Sequence, residues 1–162
     1  MKLNVIITMF LVASGMIVQG QNSKKELNKS EFYAAMASEN LVSVDALLKE
    51  VTNSSVSNKE AYEGALLMKK AGLASGLGKK FNLFKSGHKK LDKSIEKENK
   101  NAEFRFFRLM IQEQAPGILN YYSQIDEDSQ LIKSEYKNLP QVVQKAIVNY
   151  SKKSKVLKPE FF

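Results

Sequence analysis

The chain has 162 residues, with 25 lysines and arginines against 17 acidic residues and a formal charge of +8. It holds no cysteine and a single histidine, which excludes disulfides, thiolate metal sites, lipid attachment at cysteine and the usual multi-histidine metal centres. So basic a balance favours acidic surfaces as partners, although nucleic-acid sites interleave arginine and exposed aromatics with the charge and here Arg105 and Arg108 are the only arginines.

Met1 to Asn4 form a short positive start, Val5 to Val18 an apolar run, and Val18 and Gly20 small-residue positions before Gln21. Those are the three parts of a secretory signal peptide, so residues 1–20 are expected to be a cleaved leader and the protein exported, to a periplasm or outside the cell. The alternative is a retained anchor. The run is interrupted by Ser14 and Gly15 and falls short of the roughly 20 residues that span a bilayer. The remainder is long enough for one core without covalent staples. One domain, 30–162, is expected.

Residues 21–29 are polar and lysine-rich and read as a disordered lead-in. Ser30 is a plausible helix cap before Phe32, Tyr33 and Met36, and Ser38-Glu39-Asn40 breaks that helix. A second helix is predicted from about Ser43, with Val44, Leu47, Leu48 and Val51 at spacings of three, four and seven. After the linker 53–58, Ser57 and Glu60 match a capping box. The next helix carries Tyr62, Ala65, Leu66 and Met68 and stops near Gly72. Residues 73–78, rich in glycine, read as a flexible connector, because no Gly-Lys-Ser/Thr follows to make a phosphate loop.

From Lys79 a helix is predicted with Phe81, Phe84, His88, Leu91 and Ile95 on one stripe. Lys85, Lys89, Lys93, Lys97 and Lys100 occupy the broad opposite sector. Asn101 is placed to cap the next helix, whose Phe104, Phe106, Phe107, Leu109, Met110 and Ile111 cover most of its circumference. A helix so apolar belongs at the centre of a bundle. Ala115-Pro116-Gly117 ends it, and Ile118 to Ile125 form a short helix or turn. Asp126-Glu127-Asp128 supplies the negative charge favoured at the start of the following helix. Pro140 suits the first turn of the last helix, which bears Val142, Val143, Ala146, Ile147 and Tyr150. The tail 156–162 is placed to pack back on the body. No segment alternates as a strand, so the fold class is all-α, with six or seven helices in a bundle or a short helix-hairpin array.

Gly87, Leu91 and Ser94 stand where a tetratricopeptide repeat puts a small, a large apolar and a small residue, and Asn99 to Glu103 is similar to its inter-repeat loop. Residues 87–103 therefore resemble the second half of such a repeat, with Asn99 where the repeat prefers proline. The segments "EFYAAMASENL", "GALLMKKAG" and "NAEFRFFRLMIQEQAP", with the leader and the lysine-rich tail, also resemble small exported helical proteins of bacteria without established activity. The first resemblance implies a concave groove for a partner. The second brings no catalytic residue.

Candidates for chemistry are few. His88 interrupts an apolar stripe and is the chain's single histidine, so a partly buried core histidine is expected. The run 126–128 fails as a calcium loop because Leu131 takes the place of the obligatory glycine. Neither a metal nor a cofactor is implied. The most informative polar set is Arg105, Arg108 and Gln112, at offsets 0, 3 and 7 on the most apolar helix. It reads either as an ion pair fixing the packing, with Glu63, Glu103 or Glu113, or as an anion-binding spot in a groove. Lys85, Lys89 and Lys93 are the second candidate partner surface. The favoured function is a non-catalytic scaffold, adaptor or chaperone-like module contacting a peptide or acidic partner. Alternatives are a hydrolase with carboxylates from separate helices, or a binder of anionic lipid or glycan through the Lys85–Lys100 face.

Overall fold

The computed structural model describes residues 27–162. The expected leader and most of the expected lead-in lie outside that range. Seven α-helices follow in order: α1 (Lys29–Ala37), α2 (Leu41–Asn53), α3 (Lys59–Leu73), α4 (Leu77–Lys97), α5 (Ala102–Gln112), α6 (Ile125–Glu135) and α7 (Gln141–Ser151). Three-residue 3-10 turns occur at 117–119, 136–138 and 159–161, and no strand occurs among the described residues. The described residues form a single all-α domain.

Asparagine sets three of the helix starts. The Asn28, Asn40 and Asn101 side chains each accept two backbone N–H bonds from the first turns of α1, α2 and α5, satisfying donors that otherwise have no partner. Asn101 is the expected cap, but Asn28 replaces Ser30, and Asn40 caps an α2 that starts at Leu41, two residues before Ser43. Leu27 is buried and Lys29 is already helical, so these residues of the expected lead-in belong to the folded body. The Ser57–Glu60 capping box does not form. Asn58 takes the cap position of α3 in the left-handed conformation, φ 59°, with no side-chain cap bond. The connector is also shorter than predicted, because Leu77 and Gly78 already belong to α4. Only Gly76, at φ 84°, uses the freedom of glycine there.

All eleven residues of α5 are buried. Around it the rings of Phe32 (α1), Tyr62 (α3) and Phe107 (α5) form an aromatic nucleus with centroids 4.8–5.3 Å apart. Phe106 meets Tyr150 of α7 at 5.7 Å. Val44 and Val51 of α2, Ile132 of α6 and Ile147 of α7 complete the core without exposed surface. The tail does pack back: Leu157 is fully buried and the Phe162 ring lies 4.7 Å from that of Tyr136.

The most extensive helix pair is α3 with α4. It closes on two glycines. A β-carbon on Gly64 would stand 2.7 Å from the Leu91 nitrogen, and one on Gly87 2.5 Å from the Gly64 carbonyl oxygen. The backbones touch because neither residue has a side chain, and this contact sets how closely α4 lies against α3.

Candidate functional site

The arginines of α5 turn towards α6. Asp128, in the first turn of α6, is completely buried. Arg108 donates to it through two arms of its fork, Nε to Oδ2 and Nη2 to Oδ1, both at 2.7 Å. Arg105 Nη1 adds a bond of 3.0 Å to Oδ1, while its Nε and Nη2 donate to the Asn99 carbonyl at 3.1 and 3.0 Å. Glu127 stands 3.2 Å from Arg105 Nη1 and Asp92, on α4, 4.0 Å from Arg108 Nη1. Burial works most strongly against the Arg108 charge, but the hydrogen bond and charge of Asp128, with Tyr121 and Asp92 beside them, together outweigh it and hold the group above its ordinary pKa. Both arginines are under a tenth exposed. Their forks are therefore occupied inside the fold, by a partner the sequence did not suggest.

The expected carboxylates go elsewhere. Buried Glu63 takes the Lys90 ammonium at 2.7 Å, Glu103 takes Lys29 at 2.5 Å and the Tyr33 hydroxyl at 3.0 Å, and Glu113 accepts from the Ser154 hydroxyl and the Lys155 backbone N–H. The signal for Asp128 was its place on the inward face of α6, one turn before Ile132. The run 126–128 already had an explanation in helix-start electrostatics, which fits the two exposed acids and not the third.

Beside the arginines lies a second polar group. His88 Nε2 is 2.6 Å from Asp92 Oδ2, and the Tyr121 ring stands edge-on to His88 at 4.6 Å. Gln112 donates to the Gln124 side chain at 2.9 Å. Asp92 Oδ1, Gln112 Oε1 and the Tyr121 hydroxyl have no hydrogen-bond partner among the described residues. Burial pushes the Asp92 carboxyl above the usual carboxylate range against the pull of His88 and Arg108, and it pushes the Tyr121 phenol up as well. His88 is half-buried, as expected for a histidine interrupting an apolar stripe.

The lysine candidates form the outer surface. Lys85, Lys89, Lys93, Lys97 and Lys100 are all exposed, and Lys90, in the next sector, is neutralised by Glu60 and Glu63. The stripe opposite them is buried only in part. Leu91 and Ile95 are in the core, whereas Phe81 is 57 % exposed and Leu77 87 %. The cause is helix length. At about 1.5 Å per residue, the 21 residues of α4 outrun the 11 of α5. Arg108 reaches Asp92, so the end of α5 at Gln112 falls level with His88, one turn away on each helix. Residues 77–87 project beyond it, packed against α3 and against Tyr121, whose ring meets Phe84 at 5.3 Å.

That projecting half carries unbalanced charge. Residues 77–91 contain no acidic residue. Lys80 donates to the Gly72 carbonyl, while the side chains of Lys79, Lys85 and Lys89 make no hydrogen bond or ion pair with another described residue. Lysines near an uncapped helix start stand at the positive end of the helix dipole, where charge of their own sign is disfavoured. Arg105, Arg108 and Gln112 thus sit inside the body, while Lys85, Lys89 and Lys93 sit outside. The structure does not join the two candidate groups into one site.

A depression of about 200 Å³ lies between Glu113, Gln114, Tyr150, Lys153 and Lys155, smaller than the roughly 300–1,000 Å³ of ordinary ligand pockets. Among the described residues no group of three or more histidines and acids could hold a metal ion, and no helix is long and apolar enough to cross a membrane. Comparison with family models, with curated proteins and with solved structures finds no match.

Proposed function

We propose that this chain is an exported, non-catalytic binding protein that engages an acidic partner through the projecting N-terminal half of α4. The observation that carries this reading is the company Leu77 and Phe81 keep. Two large apolar side chains stand in solvent among lysines that nothing in the described fold neutralises. Lone exposed apolar residues are ordinary, but a contiguous apolar and basic patch marks an interaction surface. Attraction of opposite charge speeds encounter, and burial of the two apolar groups slows release.

The test uses an immobilised acidic polymer, polyglutamate, at low and high salt. Retention at low salt and release at high salt are expected for the unaltered protein. Reversal of Lys79, Lys85 and Lys89 to glutamate should abolish retention. Reversal of the exposed Lys137, Lys145 and Lys152, an equal change in net charge elsewhere, should weaken it far less. Equal loss from the two triple variants would mean that only net charge matters, and the reading would be wrong.

A further inference from the structure

We infer that the partner of this surface is an anionic lipid surface, with Leu77, Phe81 and Ile118 entering the headgroup layer. The inference rests on the binding reading above and names its occupant. The apolar groups protrude. Leu77 is 87 % and Ile118 93 % exposed, and Ile118 belongs to the segment that Tyr121 holds against α4 through Phe84 and His88.

A protein partner would need a complementary surface of about 800 Å² on each side with a packed centre. A fluid interface needs no such match, because lipid rearranges around whatever enters it. Its requirements are apolar side chains at the tip and cations beside them at headgroup depth. Phe81 and Lys85 are one helical turn apart, and Lys89 follows one turn further. Lysine stems can therefore lie along the apolar surface while their ammonium groups reach phosphate. The absence of any acid from 77 to 91 leaves nothing on that stretch of α4 to repel an anionic surface. The anchor is peripheral: a few side chains enter and no helix inserts.

The experiment is vesicle sedimentation with the full chain. One set of vesicles is phosphatidylcholine alone and the other contains phosphatidylglycerol as well. The chain has no tryptophan, so Phe81→Trp adds a single reporter at an exposed position. Pelleting with the anionic vesicles, weak pelleting with the zwitterionic ones and a blue shift of the new tryptophan are expected. Leu77→Ser with Phe81→Ser should lower vesicle affinity by about tenfold or more, the scale set by partial burial of two such side chains. Because both positions are solvent-facing, circular dichroism should stay unchanged. Failure to pellet, equal pelleting of the serine variant, or tryptophan emission that does not move would overturn the inference. Retention on polyglutamate through Lys79, Lys85 and Lys89 without vesicle binding would overturn it too, while leaving the acidic-partner reading in place.

Discussion

Truncation of Asp128 to alanine removes three hydrogen bonds at once and leaves two guanidinium groups in a space that water barely reaches. The consequences for the two arginines differ. Arg105 keeps the Asn99 carbonyl through two donors and has Glu127 at 3.2 Å. Arg108 keeps only Asp92 Oδ1, at 4.0 Å. Most of the loss therefore falls on Arg108, and removing one partner of a buried pair costs about 3–5 kcal/mol. For a domain of this size that lowers the melting temperature by roughly 10–20 °C. Arg108→Ala should cost less, because Asp128 retains Arg105, and Arg105→Ala least of all. Urea unfolding followed by far-ultraviolet circular dichroism gives the three values. The combined change Arg108→Met with Asp128→Leu should recover much of the loss, because the one charge it leaves, Arg105, keeps the Asn99 carbonyl and Glu127. A loss under about 1 kcal/mol for Asp128→Ala, no more than an average substitution, would refute the account of this cluster and return the arginines to consideration as a binding site.

Gly87→Ala should destabilise by about 1–3 kcal/mol, the range for overpacking, although alanine is the better helix former, because its β-carbon would stand 2.5 Å from a backbone oxygen. Gly72→Ala, in the same helix pair with nothing within 4 Å, should instead gain up to about 1 kcal/mol; equal urea midpoints for the two variants would contradict the close approach of α3 and α4. Tyr33, Tyr121 and Tyr150 all have phenols raised first by burial, then by neighbouring carboxylates. Their stabilising effect is full below the ordinary tyrosine pKa of about 10 and is lost above it, as the unfolded chain gives up protons that the folded one keeps. Stability should therefore fall by up to about 4 kcal/mol per pH unit in that alkaline window. Loss of the Tyr33, Tyr121 and Tyr150 phenol protons before unfolding, followed residue by residue by NMR, would contradict this.

The centre of the fold was legible because α5 is apolar nearly all round, and such a helix has nowhere to go but inside. Its arginines were legible as exceptional, since a chain with so many lysines placed both on that helix. Their partner was hidden, because acids at a helix start satisfy a local rule and give no sign that the third turns inward. Asn101 was found as a cap. Ser30 alone was taken as the cap of α1 and Asn28 was passed over; two residues of capping type stand two positions apart, and only geometry decides between them. Gly72 and Gly78 looked like connector residues, yet glycine allows unusual backbone conformations without requiring them, and both are helical. Phe81 is the most instructive failure. Its periodicity matched that of Leu91, but its burial depended on where α5 stops, and nothing local to α4 records that.

The most direct test of the central claim, that α5 is the inaccessible hub and the start of α4 the docking surface, is amide hydrogen exchange with and without an acidic ligand such as polyglutamate. The account predicts that residues 102–112 exchange slowly in both conditions, while added protection concentrates in residues 77–89. Protection spread evenly over the lysine-bearing surface, or concentrated around Arg105 and Arg108, would contradict it.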